Sequence, residues 1–281
     1  GVNNLRIEEG ELRYETTLGS FAELEPYAYQ LVNGMRRQVR CEYVLNATAG
    51  VVSLHFPDGY NTQEELIIDP TLVFSTYTGA TADNWGFTAT YDKDGNFYAG
   101  GITFEYRSAY SPGSGVGTYP VVGPVQSTFQ GGDHDITITK FDPTGVAVSY
   151  STYLGGSGND SPHSLVVNNS NELFILGSTT SANYPTTPGA FDVTHNGGLD
   201  IIITRLNIFG DALLASTYVG GTGNDGQNLV NTSLQYNYGD NVRGEIIVDS
   251  LSNVFIASCT NSSDFPVTPG AIKNTLTGAQ D

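Results

Sequence analysis

The side chains able to do chemistry are many in this sequence, but few of them are spaced to do it together. A glycoside hydrolase needs two carboxylates roughly 5 to 10 Å apart, and although the chain has 29 Asp and Glu residues, no acidic pair stands out from its surroundings. His55, His134, His163 and His195 are scattered, without an HExxH or other close spacing, so they predict no zinc site. No G-x-S-x-G nucleophile elbow occurs, since the serines of "GGSGND" (155–160) and "SPGSGVG" (111–117) have other neighbours. In "DKDGN" (92–96), Asp92, Asp94 and Asn96 have the D-x-D-x-N spacing of a calcium loop. Phe97 and Thr103 stand where an EF-hand needs Gly and Glu, so the stretch reads as a hairpin turn. Asp160 and Asp225, each ending a Gly-Asn-Asp string, are the remaining metal candidates, and calcium is the ion they suit. The expectation is therefore no catalytic group and no cofactor other than calcium.

Composition narrows the classes further. With 34 Gly, 17 Tyr and 13 Phe beside a single Met in 281 residues, turns and strands are favoured over helices, and the chain is expected to be all-β. A net charge of −18 makes nucleic acid and anionic lipid poor partners, because counterion release requires Lys and Arg. No stretch approaches the roughly 20 apolar residues of a membrane helix, so direct membrane insertion is not expected. Cys41 and Cys259 fall in segments assigned below to different domains and read as two buried, unlinked thiols.

The strongest signal is repetition. "STYLGGSGND" (151–160) returns as "STYVGGTGND" (216–225) and more loosely as "STYTGATADN" (75–84), so that Ser75, Ser151 and Ser216 open copies 76 and then 65 residues apart. The copies stay in step: "DGNFYAGG" (94–101), "NELFILGS" (171–178) and "SNVFIASC" (252–259) align, as do "DITITKFDPTG" (135–145) and "DIIITRLNIFG" (200–210). "NYPTTPGAFD" (183–192) matches "DFPVTPGAIK" (264–273). Each unit holds four short apolar or alternating runs between Gly, Pro, Asn and Asp clusters, which is the pattern of a four-stranded propeller blade. In the best-defined copy the inner strand is placed at 163–168, the second at 172–178, the third at 200–206 and the outer at 212–218. "STY" then ends an outer strand, and "LGGSGND" crosses back to the next inner strand. Gly155, Gly156, Gly220 and Gly221 serve that crossing by accepting positive φ and close backbone approach. Two full blades and a third stopping at Asp281 fit in residues 71–281, so the native protein is expected to be longer, with "LVFSTY" (72–77) completing a last blade. Residues 1–70 lack the repeat and read as a separate, small, sandwich-like β domain.

These strings resemble the SBBP β-propeller repeat of large secreted bacterial proteins. "LRIEEGELRYETTLGSFAELEPYAYQ" followed by "EELIIDPTLVFSTYTG" is similar to the domain that precedes such repeats in long surface proteins, many exported by the type IX secretion system and associated with gliding motility. The resemblance implies a seven-bladed propeller and an extracellular address, with no established chemistry. The first copy departs from it, with "GATADN" in place of "GGSGND".

Two long insertions complete the reading: "FEYRSAYSPGSGVGTYP" (104–120) and "GQNLVNTSLQYNYGDNVRG" (226–244). Both belong to connections that emerge on the same side of a blade as the GND turns. Their Tyr106, Tyr110, Tyr119, Tyr236 and Tyr238 are the candidate binding residues, offering flat amphipathic contacts to glycans or protein. The function expected is a secreted, non-enzymatic cell-surface scaffold for interaction or adhesion, with other surface or secretion-system proteins, or glycans, as partners. The alternative is a carbohydrate-active enzyme or glycan-binding module on the same fold, which a convergent carboxylate pair in a cleft on the insert-bearing side would favour.

Overall fold

A computed structural model describes residues 3–16, 19–69, 74–111, 113–229 and 239–281. Among them every regular element is a β-strand, and no helix is long and apolar enough to cross a membrane. The chain divides into two compact units, Gly1–Ser75 and Thr76–Asp281.

The first unit holds three small antiparallel sheets. β1 (Asn3–Glu8), β2 (Glu11–Thr16) and β3 (Gly19–Glu23) form one; β5 (Met35–Val39), β4 (Tyr27–Val32) and β8 (Leu66–Asp69), in that order, form another; and β6 (Glu42–Asn46) pairs with β7 (Val51–His55). Its tight turns follow from local chemistry. Asn33 and Gly34 both have positive φ (53° and 77°), as the Asn-Gly turn between β4 and β5 requires. The core is small, with Ala28, Val39 and Cys41 packed against Leu54, Phe56 and Leu66.

The second unit repeats one motif. β9 (Asn84–Tyr91), β10 (Phe97–Phe104), β11 (His134–Phe141) and β12 (Val148–Leu154) make a four-stranded up-and-down sheet. β13 (Asp160–Val167), β14 (Leu173–Thr179), β15 (Asp200–Leu206) and β16 (Leu213–Val219) make a second, and β17 (Glu245–Val248) pairs with β18 (Val254–Ala257). The first strands lie side by side, β13 against both β9 and β17. The second sheet is thus covered on both faces. Leu173 and Ile175 join Ile136, Ile138 and Leu154 of the first sheet in one core, while Phe174 and Leu176 meet Ile246 of the last hairpin in another. That is why β14 opens with the continuous apolar run "LFIL" instead of an alternating one and is buried along its whole length.

Register corrects one alignment. Phe97 pairs with Phe141, whereas Leu173 pairs with Leu206, so Tyr98 corresponds to Phe174 and the strings at 94–101 and 171–178 align one residue out of step. The hairpin turns fix the true frame. Asp92 accepts the amides of Asp94 (3.1 Å) and Asn96 (2.9 Å), the Tyr98 hydroxyl (2.9 Å) and the Lys140 ammonium (3.1 Å). Asn168 plays the same part for the amides of Ser170 (2.9 Å) and Glu172 (3.0 Å), and there the charge sits on Glu172, paired with Arg205. Burial pushes the Asp92 carboxyl up, but the hydrogen bonds from Asn96, Tyr98 and Lys140 outweigh it and hold the group below its usual range. "DKDGN" is the β9–β10 hairpin turn. The strand placed at 72–77 lies partly outside the described residues, and its described part, 74–77, forms no strand.

Cys41 and Cys259 are both free; Cys41 is buried, and Cys259 is only half-buried, less enclosed than its sequence environment implies. Burial raises both thiols above their ordinary value. Thiol titration of the native chain should label Cys259 and spare Cys41, and denaturant should expose the second group. Equal labelling rates in the folded protein would contradict the packing of Cys41.

Candidate functional site

The crossings that lead from one sheet to the next are built twice to the same plan. In residues 155–160, successive amides point at side chains: Gly156 at Asp160 (2.9 Å), Ser157 at Asn183 (2.7 Å), Gly158 at the Ser181 hydroxyl (2.8 Å) and Asn159 at the Thr180 hydroxyl (2.8 Å). In the second copy Gly221 donates to Asp225 (2.7 Å), Thr222 to Asp264 (2.9 Å), Gly223 to Ser262 (2.9 Å) and Asn224 to Asn261. The glycines are needed for proximity and not for unusual dihedrals, since Gly155, Gly156, Gly220 and Gly221 are absent from the residues with positive φ. A Cβ on Gly155 would lie 2.4 Å from Asp135 Oδ1 and 2.7 Å from Asp160 Oδ2. On Gly220 it would lie 2.3 Å from Asp200 Oδ1 and 2.9 Å from Asp225 Oδ2.

Each crossing therefore brings two carboxyls together, Asp135 with Asp160 and Asp200 with Asp225, and all four residues are 0% exposed. Asp160 is well supplied with donors: the Gly156 amide, the Ser181 hydroxyl (3.0 Å) and the Thr179 hydroxyl. Asp225 receives the matching set from Gly221, Ser262 (2.8 Å) and Thr260. Asp135 and Asp200 each take one amide on Oδ2, from Gln130 (2.6 Å) and Asn196 (2.7 Å), while Oδ1 of each is buried without a donor. Burial pushes the Asp135 carboxyl up to about 8, with the neighbouring Asp160 adding to it. Burial also raises Asp160, against the pull of its hydrogen bonds. Asp200 is raised by burial and by Asp225, with the Asn196 amide and His195 opposing. Among the described residues no group of three or more His, Cys, Asp or Glu side chains converges as a metal site. For calcium the two candidate aspartates already spend their oxygens on N–H and O–H donors.

The accessible chemistry lies nearby. A cleft of about 490 Å3 is lined by the aromatic Trp85, Phe104 and Tyr106 and the polar Asp133, His134 and Asn159. Trp85 leans on Phe104 edge-on (5.3 Å between ring centres) and on Tyr110 (6.2 Å, 31° between planes), and Tyr106 stacks on Phe104 (5.9 Å, 27°). Phe104 on β10 pairs with His134 on β11, their rings edge-on at 5.7 Å, so the aromatic cluster adjoins the polar rim, where Asp133 accepts from the Asn159 side chain (3.2 Å). His134 shares a hydrogen bond with the Ser161 hydroxyl (3.0 Å), and burial lowers its pKa, keeping the ring neutral at neutral pH. No Lys or Arg is among the described residues of this lining. A wider groove of about 1250 Å3 adjoins it, sharing Phe87 and Val242.

The insert-bearing connections and the GND turn thus border one cleft: Tyr106 and Ala109 come from the first insertion, Gln227 and Asn241 from the second, and Asn159 from the crossing. Of the candidate tyrosines, Tyr110 is 85% exposed and Tyr106 is half-buried at the cleft. Tyr119 is displaced from the surface set. It is 6% exposed, its hydroxyl bonded to Thr139 (2.7 Å), its amide to the Tyr153 hydroxyl (2.8 Å), and its ring set edge-on to Tyr153. Tyr184 and Tyr218 repeat this pair in the second sheet. Tyr236 and Tyr238 lie outside the described residues. Sequence reasoning missed Trp85, which follows the one copy lacking the GND string, and it missed Asp135 and Asp200. Their common place at the head of "DITIT" and "DIIIT" was the available signal.

Residues 1–71 match the family described as Domain of unknown function DUF7948. No curated protein matches the chain.

Proposed function

We propose that this chain is part of a secreted bacterial cell-surface protein whose repeated sheets are propeller blades of the SBBP type, acting as a non-enzymatic interaction scaffold that engages neutral carbohydrate. The cleft carries this reading. Clustered aromatic rings supply stacking faces for the apolar side of a sugar, and Asp133, Asn159 and His134 supply acceptors and donors for its hydroxyls. With an acidic group and no cation on the described lining, the site suits uncharged glycans and disfavours anionic ones. The propeller reading is supported by the adjacent first strands and by the uncovered apolar face of the last hairpin. There Phe255, the counterpart of the buried Phe174, is 54% exposed, as a blade awaiting a neighbour would be. Binding is favoured over hydrolysis because the carboxyl pairs that converge in the crossings are fully buried. A type IX secretion route belongs to the same proposal on resemblance alone.

Trp85 is the sole tryptophan, so its emission reports on the cleft directly. Titration with neutral oligosaccharides of the gluco, manno, xylo and N-acetylglucosamine series should give a saturable change for at least one. Tyr110→Ala should weaken that binding about tenfold, a loss of roughly 1.4 kcal/mol, with the melting temperature unchanged. Emission indifferent to all four series, or a Tyr110→Ala variant that binds as well as the parent, would refute carbohydrate recognition here.

A further inference from the structure

We infer that each crossing is closed by one proton shared between two buried carboxyls, with Asp135 (and in the second copy Asp200) as the neutral acid that donates to the Asp160 (Asp225) carboxylate. The donor pattern assigns the roles. Asp160 and Asp225 have the three donors each that a carboxylate wants, whereas Asp135 and Asp200 each leave a fully buried Oδ1 unmatched, on the side shared with the partner carboxyl and with the Gly155 or Gly220 hydrogen. A hydroxyl hydrogen on that Oδ1 satisfies it and its neighbour at once. Two bare carboxylates at such range cannot both stay ionised without a compensating charge.

Among the described residues no such charge acts on Asp135 or Asp160. From β12, Tyr153 approaches Asp135; from the second sheet, Tyr184 and Tyr218 approach Asp160; and all three phenols are raised by burial, so they stay neutral. The adjacent His134 is turned to Ser161 and Asp133 to Asn159. The second pair has three further neighbours: His195 acts on Asp200 from the preceding loop with Asp192 opposing it, and the Cys259 thiol, raised chiefly by burial, faces Asp225, so this copy depends less on its proton. The repeat in sequence supports a built feature, since Asp135 and Asp200 head equivalent strands and Asp160 and Asp225 end equivalent crossings. At the crossing into β9 the corresponding residue is Asn84, which cannot ionise.

The sign follows from where the proton is held more tightly. An aspartyl carboxyl raised in the folded state keeps its proton where the unfolded chain has lost it. Its contribution is therefore full below the unfolded value near 4 and is lost as pH rises through the folded value of about 8. The melting temperature of the chain should fall by roughly 3 to 5 °C per pH unit between about pH 5 and pH 8. Asp135→Asn keeps a donor toward Asp160 but cannot ionise; its slope should flatten, and at pH 8.5 it should melt at or above the parent. Asp160→Asn removes the acceptor of three donors and should melt lower at every pH. Each protein is measured with about 2 mM calcium, above the dissociation constants usual for extracellular calcium modules, and with EDTA. An Asp135→Asn variant with the parent's slope would overturn the shared proton. So would a parent whose melting temperature at pH 8.5 rises with calcium while that of Asp135→Asn does not, because a cation would then hold the pair. Should Asp160→Asn fail to fold, the Asp135→Asn comparison decides alone.

Discussion

Gly155→Val and Gly220→Val should each lower stability by about 3 to 5 kcal/mol, combining overpacking with the loss of buried hydrogen bonds. The added Cβ would sit inside the contact distance of two carboxyl oxygens in either crossing. Asp160 and Asp225 are anchored by the same amides and hydroxyls that shape the loop, and Asp135 and Asp200 are held through their other oxygen by the Gln130 and Asn196 amides, so neither carboxyl withdraws freely. Even alanine carries that Cβ, so Gly155→Ala should recover little. Gly189→Ala is the contrasting case: its φ is +80° and nothing lies within 4 Å of the added carbon, so only backbone strain of about 1 to 2 kcal/mol is expected. Chemical denaturation of the four variants tests the ranking. A Gly155→Val protein no less stable than Gly189→Ala would show that the crossing yields to the new side chain.

Tyr218→Ala should cost about 3 to 5 kcal/mol. The ring is fully buried between Tyr184 and His195, and its hydroxyl donates to the Ser181 carbonyl (2.8 Å), the residue whose side chain in turn holds Asp160. Tyr218→Phe keeps the ring and loses the hydroxyl, which should cost about 1 to 2 kcal/mol by leaving that carbonyl only the longer bond from the Tyr184 amide (3.4 Å). The same denaturation experiment separates packing from hydrogen bonding. If phenylalanine proved as damaging as alanine, the hydroxyl would dominate; if alanine cost under about 1 kcal/mol, the two cores would be shown to repack around the gap.

The four-strand unit was readable because its signals are local. Apolar runs of strand length, bounded by Asn, Asp and Gly, place β13 to β16 within a few residues of where the sequence puts them. The turn at "DKDGN" was readable for the same reason, since an Asx side chain bonding its own downstream amides needs no distant partner. The one-residue slip at 94–101 arose because strand pairing fixes register and composition does not: Phe97 and Phe174 look alike in a string, yet their cross-strand partners put them on opposite faces.

Surface and interior were harder to tell apart for tyrosine. Tyr110 and Tyr119 stand nine residues apart in one insertion. A phenol is equally at home in water or in a core with a hydrogen-bond partner, and only the fold supplies Thr139 to one and open solvent to the other.

By itself, then, the chain's order of residues determined its all-β class, its repeat and the positions of its turns, all of which rest on interactions between near neighbours. What only the tertiary structure decided is which distant groups meet. Asp135 and Asp160 are 25 residues apart and belong to different sheets, Asp135 on the interior strand β11 and Asp160 at the start of the edge strand β13, and nothing in either neighbourhood announces the other. Packing one sheet on the next removes the water between them and leaves two acids sharing a space from which Gly155 withholds a side chain, so the environment of each carboxyl is set by a contact that neither local sequence encodes.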